Sequence, residues 1–148
     1  MEYNGYNIVL AKRNMTSALI KLSMSVLQAG NEAIYNEEFL CIKGLQAAII
    51  KENVVVALHF GNICGLMRFY PNKRVERISL YQFAIAESDR GNNLATKMLD
   101  LIYSRYKKPI ISKCPATSVF NEYYAKTGWA KTMEDDYCHW EWSVYQQK

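Results

Sequence analysis

Arg77–Tyr106 reads RISLYQFAIAESDRGNNLATKMLDLIYSRY, and this stretch decides the fold. Its first part, Arg77 to Ala86, predicts a buried strand, because Ile78, Leu80, Tyr81, Phe83, Ala84 and Ile85 leave almost no polar face. Glu87-Ser88-Asp89 breaks that run, and a helix follows. Leu94, Met98, Leu101 and Ile102 recur at i, i+4, i+7 and i+8, while Lys97, Asp100 and Ser104 point elsewhere. The turn between strand and helix, Asp89 to Ala95, carries Arg90 among small and turn-forming residues. Helix N-termini leave backbone N–H groups unpaired and carry partial positive charge. A strand running into such a turn is a ready cradle for phosphate.

Outward from this core the chain alternates between the two periodicities. On the N-terminal side, Tyr6 to Ala11 predicts a first strand. Thr16 or Ser17 is placed to cap a helix reaching about Ala29, with Leu19, Leu22, Val26 and Ala29 on one face and Gly30-Asn31 ending it. A second helix starts near Asn36 and turns Phe39, Ile42, Leu45, Ile49 and Ile50 inward. Val54 to Phe60 is a strand by β-branched content, Gly61-Asn62 a hairpin turn, and Ile63 to Tyr70 the returning strand. On the C-terminal side, Pro109 stops the central helix and opens a strand from Ile110 to Cys114. Thr117 or Ser118 caps a helix from Val119 to Lys126, closed by Gly128. Trp129 to Met133 and Tyr137 to Val144 form the last two strands around Glu134-Asp135-Asp136. The fold class is α/β, a mixed, mostly antiparallel sheet flanked by helices in the order β-α-α-β-β-β-α-β-α-β-β. Residues 1–148 form one domain without repeat or linker.

Composition narrows the setting. Half of the 148 residues are hydrophobic and 22% are charged, the balance of an ordinary globular protein. No apolar run approaches the ~18 residues of a membrane span, and the start MEYNGYNIVLAKRN lacks a signal peptide's basic head and apolar core. A cytoplasmic protein is expected. Cys41, Cys64, Cys114 and Cys138 are far apart in sequence, which favours buried reduced thiols over a metal site. A net charge of +4 suits a polyanionic ligand and argues weakly for nucleic acid.

Two elements carry a family resemblance. Phe83-Ala84-Ile85, four residues, then Arg90-Gly91-Asn92-Asn93-Leu94-Ala95 and an amphipathic helix resembles the acetyl-CoA-binding core of the GNAT superfamily of N-acetyltransferases. That family's signature is (Arg/Gln)-x-x-Gly-x-(Gly/Ala): Arg90 and Ala95 match its ends, and Asn93 replaces the middle glycine. Asparagine tolerates left-handed backbone better than most residues, so the loop shape is compatible with the replacement. Further on, Tyr123-Tyr124-Ala125-Lys126-Thr127-Gly128-Trp129 resembles the family's F-Y-E-K-x-G-F element.

The resemblance implies the same element order and transfer of an acetyl group from acetyl-CoA to a small-molecule or peptide amine. A homodimer is compatible with it. The pyrophosphate site maps to Arg90, Gly91, Asn92, Asn93, Leu94 and Ala95, mostly through backbone N–H groups; the bland reading is an ordinary strand-to-helix turn. The pantetheine grip maps to main-chain groups of Phe83, Ala84 and Ile85. Tyr124 maps to the tyrosine near the cofactor sulfur that protonates the thiolate, although a tyrosine at this spacing also suits an amphipathic core, as Tyr123 does. Lys126 maps to a phosphate contact or to a solvated helix end.

Two family features are missing. The glutamate some members use as base falls at Ser79, leaving Glu76, Glu87 or a water chain unranked, with His59 and His139 read as structural. The asparagine often found shortly before the tyrosine falls at Thr117. The missing carboxylate keeps open a catalytically inactive CoA-binding sensor or interaction module. A toxin-type enzyme acting on aminoacyl-tRNA is a further alternative, disfavoured by the low charge. For the acceptor, the tyrosines and the acidic turn are compatible with a cationic amine and nothing reads as a code.

Overall fold

The computed structural model describes residues 2–28 and 37–143. Eight strands make one sheet: β1 (Glu2–Tyr3), β2 (Tyr6–Leu10), β3 (Val54–His59), β4 (Asn62–Pro71), β5 (Ile78–Ile85), β6 (Ile110–Pro115), β7 (Ala130–Glu134) and β8 (Tyr137–Trp142). Their spatial order is β1-β2-β3-β4-β5-β6-β8-β7. The helices are α1 (Thr16–Gln28), α2 (Ile42–Ile50), α3 (Leu94–Tyr106) and α4 (Phe120–Lys126). This is the expected order with one short strand added in front. Asn4 and Gly5 both have positive φ and fold Tyr3 back onto Tyr6, the Asn-Gly hairpin signal that the sequence reading passed over.

Alternation along β3, β4 and β5 divides the core into two layers. On one face Leu19 and Leu22 of α1 and Leu45, Ala48 and Ile49 of α2 pack on Val54, Val56, Leu66 and Ala84. On the other, Leu94, Met98, Leu99 and Ile102 of α3 pack on Val55, Met67, Phe69, Ile78 and Ile110.

Several boundaries differ from expectation for local reasons. The Thr16 hydroxyl donates to the Arg13 carbonyl at 2.7 Å, so Thr16 is the first residue of α1 rather than its cap. The second helix is broken at Cys41, whose sulfur accepts from the Gly44 N–H: a 3-10 turn spans Glu37–Leu40, and α2 begins only at Ile42. Shifting the start rotates the face, so Ile42 and Ile50 are exposed instead of inward. The β3–β4 turn is Phe60-Gly61, both left-handed, one residue earlier than expected, and Phe60 is exposed. Cys41 is exposed, not buried. Cys114 and Cys138, distant in sequence, are direct partners across β6 and β8. Ala29, Gly30-Asn31, Asn36 and Val144 lie outside the described residues.

The feature that positions the site is a fork. Every neighbouring strand pair is antiparallel except β5 and β6, which run parallel and match only at Ile78↔Ile110 and Ser79↔Ile111. Beyond Ser79 they part, while β5 stays paired with β4 as far as Gly65↔Ile85. The register shifts between Arg68↔Gln82 and Phe69↔Leu80, which leaves Tyr81 as an extra residue on β5. A bulge of this kind bends and twists the strand that carries it, and here it lies where β5 turns away from β6.

Candidate active site

The larger of two adjoining cavities, about 440 Å³, lies at the fork and runs to the start of α3. Phe83, Ala84 and Ile85 form its strand side, and Arg90, Gly91, Asn93, Leu94 and Ala95 its loop side. Of the residues mapped to pyrophosphate, only Asn92 does not line it. Its side-chain amide donates to the Asp89 carbonyl at 2.9 Å and fastens the loop from within. Gly91 has φ +86°, and an ideal Cβ there would meet nothing within 4 Å. Asn93 takes φ 61° and ψ 26°, the left-handed form, with no side-chain cap on α3. Leu94, Ala95 and Thr96 therefore open the helix with N–H groups that have no helical acceptor. Arg90 is exposed, and its Nε lies 3.4 Å from the Ile85 carbonyl. Lys126 is exposed at the end of α4 and lines neither cavity.

The two adjacent tyrosines divide between the cavities. Tyr123, read from sequence as plain core, is half-buried, lines the larger cavity and tilts against Phe83 with ring centroids 5.7 Å apart. Tyr124 is 7% exposed and lines the smaller cavity, about 150 Å³, which shares Phe83 and Phe120 with the larger one. Its ring stacks on Trp140 and meets Trp129 edge-on. Its hydroxyl lies 2.8 Å from the Ser112 hydroxyl on β6, the far arm of the fork. Burial pushes the phenol up to about 12, against the lowering effect of the Ser112 bond. The phenol is thus held beside Ser112 and stays protonated at neutral pH.

No carboxylate or histidine lines either cavity among the described residues. Ser79 bonds Asn72, Glu76 pairs with Lys108 at the surface, and Glu87 is exposed. His59 stacks on Tyr6 at 4.2 Å and lies 3.4 Å from Asp89; His139 approaches Asp135. Thr117 is exposed, and a different asparagine organises this corner. Asn121 accepts from Trp140 Nε1 at 3.0 Å and from the Cys114 thiol, and donates to the carbonyls of Pro115, Ala116 and Ser118. Sequence reasoning missed Ser112 and Asn121, because each acts through a partner brought in from another strand.

No family model matches the sequence, and no curated relative matches it. Solved structures do resemble it. The PaiA N-acetyltransferase of Thermoplasma acidophilum, solved with coenzyme A, superposes with a TM-score of 0.74 at 13% identity, over 92% of this chain and 97% of that one. A GNAT-family acetyltransferase of Listeria monocytogenes gives 0.73 at 10% identity, over 94% and 95%. The ribosomal-protein-S5-alanine acetyltransferase of Vibrio fischeri gives 0.70 at 12%, over 96% and 94%. No helix among the described residues is long and apolar enough to cross a membrane. With its forked sheet, its element order and these neighbours, the chain has the fold of the GNAT acetyltransferases.

Proposed function

We propose that this single-domain protein is a cytoplasmic N-acetyltransferase that moves an acetyl group from acetyl-CoA to a primary amine. The observation that carries the reading is the fork, with an open strand edge on one side, an uncapped helix start at its end and one buried hydroxyl at its root. The residues present fit coenzyme A. Beyond Ser79, β5 offers backbone groups to an extended amide-bearing arm. Phe83, Phe120 and Tyr123 supply apolar walls, and the left-handed Gly91 and Asn93 turn the loop toward the N–H groups that open α3. Structural neighbours solved with coenzyme A support this assignment.

Bound acetyl-CoA supplies an electrophilic thioester carbon and a thiolate leaving group. The amine attacks that carbon, the C–N bond forms, the C–S bond breaks, and the amine's extra proton passes to solvent. Tyr124 Oη is the donor that meets the departing sulfur. A phenol near 12 facing a thiol of ordinary pKa ~8.5 leaves complete proton transfer uphill by about 5 kcal/mol. Tyr124 therefore acts first as a hydrogen-bond donor to sulfur, and its proton crosses only as solvent reprotonates the phenol. Ser112 holds the hydroxyl in position. Lys126, exposed at the end of α4 and lining neither cavity, is the weakest of the assigned contacts.

A catalytically silent CoA-binding module remains the second reading, favoured by the absence of a carboxylate or histidine from the cavity linings among the described residues. Thermal unfolding with acetyl-CoA and with desulfo-CoA tests the binding half. At 100 times Kd the ligand adds about 2.7 kcal/mol, and both should raise Tm nearly equally. No shift at millimolar cofactor overturns the assignment. Thioester cleavage against an amine panel separates the two readings: binding without transfer to any amine selects the silent module.

A further inference from the structure

The loop that leads into α3 is anchored by a carboxylate outside both cavities. Asp89 closes the 3-10 turn Glu87–Asp89, immediately before Arg90 and two residues before the left-handed Gly91. It lines neither cavity, and its side chain is 14% exposed. The ends of two strands meet it instead. Tyr6, the buried first residue of β2, donates its hydroxyl to Asp89 Oδ1 at 3.0 Å. His59, the last residue of β3, brings Nδ1 to 3.4 Å from the same oxygen. Tyr6 and His59 are register partners, and their rings stack with centroids 4.2 Å apart and planes at 14°, so each steadies the other. No lysine or arginine among the described residues pairs with this carboxylate.

The backbone ties the same residue to the sheet and to its own loop. The Asp89 N–H donates to the Ala86 carbonyl at 2.9 Å, and the Ala86 N–H donates to the Cys64 carbonyl of β4 at 2.8 Å. On the other side, Asn92 Nδ2 donates to the Asp89 carbonyl at 2.9 Å. Ordering a loop costs conformational entropy. A ligand that meets the loop already ordered is spared that cost, and binds more tightly with no contact added.

We propose that Asp89 is a positioning residue for the cofactor. Clamped by Tyr6 and His59, its carboxylate holds the loop in the form that presents Gly91, Asn93 and the first N–H groups of α3 to the pyrophosphate of acetyl-CoA. The assignment rests on the acetyl-CoA-binding reading and adds to it three residues that line neither cavity. It gives Tyr6 and His59 a part in affinity and none in the chemistry.

The test is calorimetric titration with desulfo-CoA, beside the Tm of each ligand-free protein. Asp89→Ala should weaken binding by about tenfold or more, the scale of hydrogen bonds to a charged group. Tyr6→Phe keeps the stacked ring, removes one oxygen, and should weaken binding by roughly three- to tenfold. In the Asp89→Ala background the same change should cost nothing further, because both act through one contact. Val55→Ala, a core truncation near the other end of β3, is the control: it should lower Tm and bind desulfo-CoA like the wild type. Tyr6→Phe and Asp89→Ala proteins that lose Tm but bind like the wild type overturn the proposal, since the clamp is then purely structural. So do losses that simply add in the double variant. Should Asp89→Ala fail to fold, Tyr6→Phe alone decides: full affinity overturns the clamp. In each of these cases binding by the wild type leaves the acetyl-CoA reading standing, whereas a wild type that does not bind desulfo-CoA overturns both.

Discussion

The two cavities at the fork are built by different means. The larger has apolar side-chain walls but takes its polar groups from backbone: an open strand edge, two left-handed residues and the first turn of α3. The smaller is made of side chains from strands and helices far apart in sequence: Phe39, Gln82, Ser112, Phe120 and Tyr124, with the Tyr124 and Ser112 hydroxyls 2.8 Å apart. Backbone sites constrain residue type at fixed spacing, because left-handed backbone favours glycine and, after it, asparagine. Side-chain sites constrain geometry across the sheet and leave each contributing segment looking ordinary.

The sharpest way to break this contrast is at Tyr124. Tyr124→Phe keeps the ring on Trp140 and Trp129 and removes only the hydroxyl. Loss of one preorganised donor costs about 10²–10³ in kcat, while KM for acetyl-CoA and its Tm shift should stay close to wild type. Tyr123→Phe should behave differently from an inert control, because Tyr123 lines the larger cavity: any change belongs in KM for acetyl-CoA, with kcat kept. Turnover unchanged in Tyr124→Phe would remove Tyr124 from the chemistry and leave solvent as the proton source.

A smaller effect is expected at the loop. Gly91 stands at φ +86° with open space where a Cβ would go, so the ligand-free protein meets no clash on substitution. The cost is conformational, about 1–2 kcal/mol for an L-residue held left-handed. Gly91→Val should lower Tm by a few degrees and weaken acetyl-CoA by about tenfold or more, as the loop relaxes and its N–H groups turn away. Asn93→Gly, which eases the same kind of strain at φ 61°, should bind at least as tightly as wild type. Calorimetric titration of both proteins decides the matter; equal affinity in Gly91→Val places the phosphates elsewhere.

These differences explain what the sequence disclosed. The strand Ile78–Ile85, the loop with Gly91 and Asn93 and the amphipathic face of α3 could be read locally, because period, break and turn chemistry all lie within one stretch. The second helix could not be placed to the residue: Cys41 interrupts it through a sulfur–amide contact, and the hydrophobic period alone puts Ile42 and Ile50 on the wrong side. The bulge at Tyr81 was invisible for a related reason. It exists only in the register between β4 and β5, and that register decides that Arg68 faces Gln82. Asn121 could not be singled out because the partner its carboxamide reaches, Trp140, lies nineteen residues on.

The smallest expected effect is on stability at high pH, and it tests whether Tyr124 is as buried as the smaller cavity requires. The phenol's ordinary pKa is ~10, and in the folded protein burial raises it to about 12. Below pH 10 both states hold the proton and the group contributes no pH dependence. Above it the unfolded chain loses the proton first and binds fewer protons than the native state, so stability must fall as pH rises. By pH 11 the loss attributable to this one group is on the order of 1 kcal/mol. Other tyrosines titrate in the same range, so the comparison is between wild type and Tyr124→Phe in urea melts at pH 8, 10 and 11. The variant starts lower, having lost the Ser112 bond, but its stability should decline less steeply. Parallel declines would mean that water reaches the hydroxyl, and a hydroxyl in contact with water would not be the preorganised donor the reaction calls for.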